Sequence, residues 1–246
     1  MLYGIFSDIH GNLQALEAVL RSMESRKVDK RICLGDIVGY GVNPNECAAL
    51  VKKHSDLCLL GNHDSVALKR EAYSDFNMYA KAAMEWTWAH INDETKEYLN
   101  SLPYMVKEGS FTFVHSSPAA PTDWHYIADL EGALDSFAYF ETQSCFIGHT
   151  HSPVMVAIDS KGPYEEIPVI SDGPLYRPKK NEKVLANVGS VGQPRDRDNR
   201  ACWCLADSEG DWIEFIRVEY DIEKTQDAMR KEGLPLFLIE RLALGR

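Results

Sequence analysis

Phe6-Ser7-Asp8-Ile9-His10-Gly11-Asn12 closes the short apolar run that opens the chain, and its reading decides the fold. Leu2 to Phe6 has the composition of a buried strand. Gly11, followed by Leu13, Leu16, Val19 and Leu20, marks the turn into an amphipathic helix from about Asn12 to Ser25. Asp8 and His10 therefore stand where a strand ends and a helix begins, at the C-terminal edge of an α/β sheet, where such sheets place ligands. Two residues apart on an extended backbone, their side chains are expected to project the same way and to share one cation. Taken alone, Asp-x-His is a short motif that chance also produces, with Asp8 as a helix cap and His10 as a loop residue. The rest of the chain decides between the two.

The same pattern recurs. Lys30 to Leu34 reads as a second strand and ends in Gly35-Asp36-Ile37-Val38-Gly39-Tyr40-Gly41, a glycine-rich loop able to turn sharply beside a ligand. Pro44 and Glu46 suit the first turn of a helix through Lys53. Asp56 to Leu60 reads as a third strand and ends in Gly61-Asn62-His63-Asp64. Further on, Phe111 to Val114 ends in His115, and Ser144 to Ile147 ends in Gly148-His149-Thr150-His151. Five of the eight histidines thus follow short apolar strands. A structural histidine is the commoner reading of any one of them, but chance explains all five poorly. Carboxylate, amide and imidazole donors without a thiolate suit manganese, iron or zinc better than calcium.

The chain has 246 residues, 45% hydrophobic and 26% charged, enough for one large α/β unit with a core that needs no disulfides. A net charge of −11 argues against a general duplex-binding surface, since phosphate attraction needs clustered Lys and Arg. An acidic protein acting on phosphate needs local positive charge, which bound metal ions supply. None of the six cysteines falls in a Cys-x-x-Cys zinc pattern, so buried reduced thiols in a cytoplasmic protein are expected. The opening apolar run is too short for a signal peptide, and no stretch reaches the length of a membrane span.

Residues 65–103 read as a helical insertion, with Phe76, Tyr79, Ala80, Ala83, Trp86 and Trp88 at helical spacing. Residues 162–181 are a polar insertion read as a hairpin or lid, and 221–246 as a helical tail broken at Gly233 and Pro235. The whole of 1–246 is expected to form a single domain. The apolar stretch Leu236 to Ile239 is expected to pack on that domain, with a homodimer seam as the other use.

The order Asp-x-His, Gly-Asp, Gly-Asn-His-Asp, Val-His, Gly-His-Thr-His resembles the calcineurin-like metallophosphoesterase superfamily. Within it the chain is most similar to small bacterial and archaeal phosphodiesterases and asymmetric diadenosine tetraphosphatase-like proteins. Gly39-Tyr40-Gly41 stands where protein phosphatases and symmetric tetraphosphatases carry Asp-Arg, which argues against protein substrates. The resemblance implies a four-layer α/β/β/α sandwich of two mixed β-sheets with a dimetal site at the strand C-terminal edge. It implies that Asp8, His10, Asp36 and His151 hold one divalent ion. Asp36, Asn62, His115 and His149 would hold the other, with manganese expected ahead of iron, zinc or nickel. Two such ions lower a shared water's pKa towards neutrality and neutralise phosphate oxygens during in-line attack. His63 is then the general acid or an electrostatic stabiliser, with Asp64 orienting its imidazole.

Arg195, in Gln193-Pro194-Arg195-Asp196, either contacts a non-transferring phosphate or pairs on the surface with Asp196 or Asp198. Tyr40 either lines the pocket or only packs, and His125, between Trp124 and Tyr126, either stacks a base or covers the site. The expected function is hydrolysis of a small phosphodiester or phosphoanhydride, a nucleotide among the candidates. The competing readings are a non-catalytic metal-binding adaptor and a nuclease. The only late basic cluster (Lys179, Lys180, Arg195, Arg197, Arg200) is interleaved with acids and offers little to a nucleic acid.

Overall fold

The computed structural model describes residues 1–69, 73–159, 164–167, 175–209 and 212–246. In chain order the strands are β1 (Leu2–Phe6), β2 (Lys30–Cys33), β3 (Leu57–Cys58), β4 (Met105–Glu108), β5 (Phe111–Val114) and β6 (Ser144–Ile147). They continue with β7 (Val154–Asp159), β8 (Tyr164–Ile167), β9 (Glu182–Asn187), β10 (Ala201–Asp207) and β11 (Ile213–Val218). The helices are α1 (Leu13–Ser25), α2 (Pro44–His54), α3 (Asn62–Lys69), α4 (Met78–His90), α5 (Asp93–Asn100), α6 (Leu130–Ser136), α7 (Ile222–Lys231) and α8 (Leu236–Leu244).

Two mixed sheets result, in the orders β11-β10-β1-β2-β3 and β4-β5-β6-β9-β7-β8. Alternation along β1 shows how they stack. Tyr3 and Ile5 point between the sheets with Ile32, Cys202 and Cys204, against Phe111, Phe113 and Phe146 of the second sheet. Phe6 points the other way and packs under Leu16, Val19 and Met23 of α1 and Val51 of α2. On the far face of the second sheet, Cys145, Ile147, Val156 and Leu185 pack against Ala133 of α6 and Phe137. Helices therefore cover both outer faces, and apolar side chains fill both helix layers and the space between the sheets.

Local chemistry sets the helix starts. Asn12, Asn77, Asn92, Asp129 and Asp221 each accept a first-turn backbone N–H through the side chain, and Pro44 opens α2 where no N–H is needed. The third strand is shorter than expected: its ladder covers only Leu57 and Cys58. Beyond it, Leu59 still donates to Cys33 but Leu60 donates to Pro103, so the chain leaves the sheet one residue before Gly61. Asn62, expected in a loop, is the first residue of α3.

Within the polar insertion the described residues Tyr164–Ile167 add an antiparallel edge strand beside β7, and Tyr176 bridges to Ile213. The other part of that reading, residues 162–163 and 168–174, lies outside the described residues. All six cysteines are buried, and none forms a disulfide among the described residues. Among the described residues no helix is long and apolar enough to cross a membrane.

Candidate metal centre

The parallel pairing of β1 with β2 continues past the strand ends. Asp8 N–H donates to Gly35, His10 N–H to Asp36 and Gly11 N–H to Ile37, which carries the two loops forward side by side. The backbone here is not extended, contrary to the sequence expectation. Asp8 and His10 are left-handed, with φ of 56° and 50°, and Ile9 between them turns into the core. Asp36, His149 and His151 share that conformation, with φ of 55°, 69° and 61°. Each such non-glycine residue costs roughly 1–2 kcal/mol. Five at one sheet edge amount to strain that the surrounding hydrogen bonds must hold, as strained functional sites do.

The side chains form two buried sets that share Asp36. The donor atoms of Asp8, His10, Asp36 and His151 lie within 4.8 Å of one another, and so do those of Asp36, His115 and His149. Asp36 Oδ2 is the common point, 3.6 Å from His10 Nε2 and 3.5 Å from His115 Nε2. Asn62 Oδ1 joins the second set at 3.2 Å from His115 Nε2.

Hydrogen bonds behind the rings fix which nitrogen faces inward. His10 Nδ1 lies 3.1 Å from the Val38 carbonyl, His115 Nδ1 3.1 Å from that of Leu34, and His151 Nδ1 2.8 Å from that of Gln193. A ring nitrogen facing a carbonyl carries the proton, so Nε2 of a neutral ring is left as a lone pair. His149 runs the other way: its Nε2 donates to the Trp124 carbonyl at 3.0 Å, which leaves Nδ1 for the second set.

The first set shows what this arrangement demands. His10 Nε2 and His151 Nε2 face each other at 3.0 Å. Burial holds both imidazoles well below the usual histidine range, so both rings are neutral and two lone pairs oppose each other. Asp8 Oδ1, 3.3 Å from His151 Nε2, is buried with no hydrogen-bond partner among the described residues. Orphaned acceptors at this spacing fit a divalent ion with nitrogen and oxygen ligands at about 2.0–2.2 Å.

In the second set burial would lift the Asp36 carboxyl, but the His115, His63 and His10 imidazoles outweigh it and hold Asp36 well below the carboxylate range. His115 responds in the opposite direction. Burial would lower it, yet Asp36 and then Asp8 raise it to about 9. Burial and the charge of His115 lower His149 to about 4.

His63 lies directly beside the sets. Its backbone N–H donates to Asp36 Oδ1 at 2.8 Å, and its ring sits 4.7 Å from His10, 4.7 Å from Tyr40 and 4.5 Å from Phe76, centroid to centroid. Burial holds it at about 4, and Nδ1 has no hydrogen-bond partner among the described residues. Gly39, at φ +89°, lets that ring in: a Cβ there would stand 2.6 Å from Nδ1.

The expected role of Asp64 is overturned. Its carboxylate accepts the backbone N–H groups of Ile37, Val38 and Gly61, and none of its described bonds reaches His63. It ties the Asp36 loop to the start of α3. Adjacent residues at the start of a helix diverge by about 100°, which sends the two side chains to different neighbours.

Tyr40 is buried against His10 and under the Arg195 guanidinium, 5.8 Å from its ring. Arg195 is not paired with Asp196 or Asp198, since Arg217 reaches both and Arg200 also bonds Asp198. Its NH2 donates to Gln193 Oε1 at 2.7 Å, and its Nε has no hydrogen-bond partner among the described residues. His125 points away from the rings of the site; its side chain is 68% exposed, 3.8 Å from Asp123. Its neighbours take the place expected of it. Tyr126 stacks on His149 at 3.9 Å and 24°, and Trp124 lies 5.9 Å from His115. These two and Phe76 are site residues that the sequence reading passed over. The signal available was an aromatic residue on either side of His125.

Residues 1–211 match the profile described as the calcineurin-like phosphoesterase superfamily domain. An uncharacterized protein of Methanocaldococcus jannaschii is 39% identical over 249 residues, covering 100% of this chain and 98% of its own length. The crystal structure of a metallophosphoesterase from Sphaerobacter thermophilus superposes with a TM-score of 0.86 at 38% identity, covering 100% of both chains. A hypothetical protein from Pyrococcus horikoshii shares the fold, with a TM-score of 0.79 at 23% identity over 100% of this chain and 98% of that one.

Proposed function

Since the chain belongs to the calcineurin-like phosphoesterase superfamily, we propose that it is a dimetal-dependent hydrolase of a small phosphodiester or phosphoanhydride, with dinucleoside polyphosphates among the candidates. The observation that carries this reading is the pair of opposed Nε2 atoms of His10 and His151, joined through Asp36 to a second set at His115. In this reading Asp8, His10, Asp36 and His151 hold one ion, and Asp36, Asn62, His115 and His149 the other. The donor set, with no thiolate, suits manganese, iron or zinc, and manganese is the ion taken for the test. Two such ions would supply positive charge for the phosphoryl oxygens and lower the pKa of a water between them.

The chain's own groups do the rest. The Val38, Leu34 and Gln193 carbonyls engage Nδ1 of His10, His115 and His151 and so turn Nε2 inward. Asp36, shared by both sets, fixes their spacing. His63, packed against Tyr40, presents a ring N–H to the leaving oxygen or to a phosphoryl oxygen. Arg195, free of Asp196 and Asp198, offers its fork to a phosphate that is not transferred. The six buried thiols support a reducing, cytoplasmic setting.

The test is a product assay on chelator-stripped protein with manganese restored. An aryl phosphodiester, the matching monoester and diadenosine tetraphosphate are the substrates. Metal-dependent release of product from the diester or the tetraphosphate is expected. Two bound ions with no turnover of any of the three would replace this reading with the adaptor.

A further inference from the structure

Beside the metal centre lies a cavity of about 430 Å³. It opens between α6 and the outer face of the second sheet, and Tyr126, Leu130, Val154, Val156 and Leu185 form much of its wall. Its volume falls in the range of small-molecule sites, roughly 300–1,000 Å³. Two features tie it to the centre. Thr150 and Ser152, which line it, alternate along the chain with His149 and His151. Tyr126 lines it too, and lies with one ring face on His149 at 3.9 Å although the residue is 61% exposed.

We infer that this cavity takes the nucleobase of the substrate, held against the Tyr126 ring while the phosphoryl group lies at the metal centre. The inference rests on the phosphoesterase reading and deepens it from a small phosphate compound to a nucleotide. The lining selects the class. A sugar needs many hydrogen-bonding partners, and here aliphatic side chains dominate. An alkyl chain has no use for an aromatic shelf or for polar groups at the rim. A base is apolar on its faces and polar on its edges. The aliphatic wall and Tyr126 suit the faces, and the Ser152 hydroxyl and the Asp129 carboxylate oxygen that does not cap α6 suit the edges.

The test compares AMP with ribose 5-phosphate by calorimetry on the manganese-loaded full chain. Both ligands carry the phosphate and the sugar, and only AMP carries the base. AMP is expected to bind at least about tenfold tighter, the scale that base–aromatic stacking alone provides. Ala128 is exposed and borders the cavity, so Ala128→Trp is expected to abolish that preference while ribose 5-phosphate binds as before. As a second readout, AMP and not ribose 5-phosphate is expected to shift the methyl resonances of Ile127 and Leu130 in the unmodified protein. Equal affinities, or a preference that survives Ala128→Trp with the methyls unmoved, would overturn the base pocket and leave the phosphoesterase reading standing. Failure of both ligands to bind would overturn both readings.

Discussion

Gly61→Ala should dismantle both halves of the metal centre without touching a ligand. A Cβ at Gly61 would stand 2.1 Å from Asp36 Oδ1 and 2.3 Å from the Asp36 backbone nitrogen, where at least 3.0 Å is needed. Asp36 must therefore retreat by about 0.9 Å, several times the ~0.2 Å tolerance of a metal–ligand distance. The backbone nitrogen is part of the clash, so a side-chain rotation does not relieve it. Because Asp36 Oδ2 faces both His10 and His115, one displacement affects both sets. The expected outcome is a loss of about 100-fold or more in affinity for each of two manganese ions, the scale of a 1 Å misplacement. Calorimetric titration of the metal-stripped protein measures it, with thermal melts of the same samples to confirm folding. Gly132→Ala is the control, because its new Cβ meets nothing closer than 3.4 Å. Two ions bound by Gly61→Ala with unchanged affinity would refute Asp36 as the shared ligand.

Three further outcomes follow from the same geometry. His63→Ala should lower turnover by ~10²–10⁴-fold with manganese content unchanged, measured on one sample by metal analysis and kinetics; an equal loss of metal would make His63 a ligand instead. Arg195→Ala should raise KM for a polyphosphate substrate by about 10–100-fold at unchanged metal content, the scale of a charged hydrogen bond, and Arg195→Lys should restore it only in part because the planar fork is lost. An unaltered KM would return Arg195 to the surface. Glu182 accepts from Tyr176 Oη, Lys179 N–H and Lys179 Nζ, and although burial opposes them, these partners hold its carboxyl below the ordinary glutamate value of 4.5. A depressed folded-state pKa gives stability that is present above the unfolded value and lost as pH falls. The stability gap between the natural protein and Glu182→Gln should therefore be widest near neutrality and close below pH 4.5, as read from denaturant midpoints at each pH. A gap independent of pH would mean that the carboxylate charge contributes nothing.

The candidate donor residues were legible because each lies within a few residues of the end of a short apolar strand, and parallel pairing brings strand C-termini to one edge. What was misread at those positions was local. Asp8 and His10 converge through left-handed turns and not along an extended strand. Composition gives little warning of that, since Asp and His visit such angles more often than most non-glycine residues but adopt extended backbone far more often still. Asp64 was misread for a related reason. Adjacency to His63 in sequence suggested a pair, but the helix sends the two side chains apart and the carboxylate is filled by three backbone donors.

The chain order of motifs, the alternation in the strands and the helix caps are properties of short segments; they gave the α/β elements and the polar residues at the strand ends, and the family resemblance of those motifs implied the two-sheet sandwich and the seven candidate donors. The freedom of Arg195, the placement of Tyr126 on His149 and the cavity under α6 depend on partners far away in the chain. Arg195 stays clear of Asp196 and Asp198, which Arg217, on β11, reaches across the fold. Tyr126 meets His149 because the loop leading into α6 and the loop after β6 close over the same sheet edge. Short-range pattern records which side chains face the core or the sheet edge. Only tertiary packing decides which of them meet, because a contact between distant segments follows from how the layers close and not from local spacing.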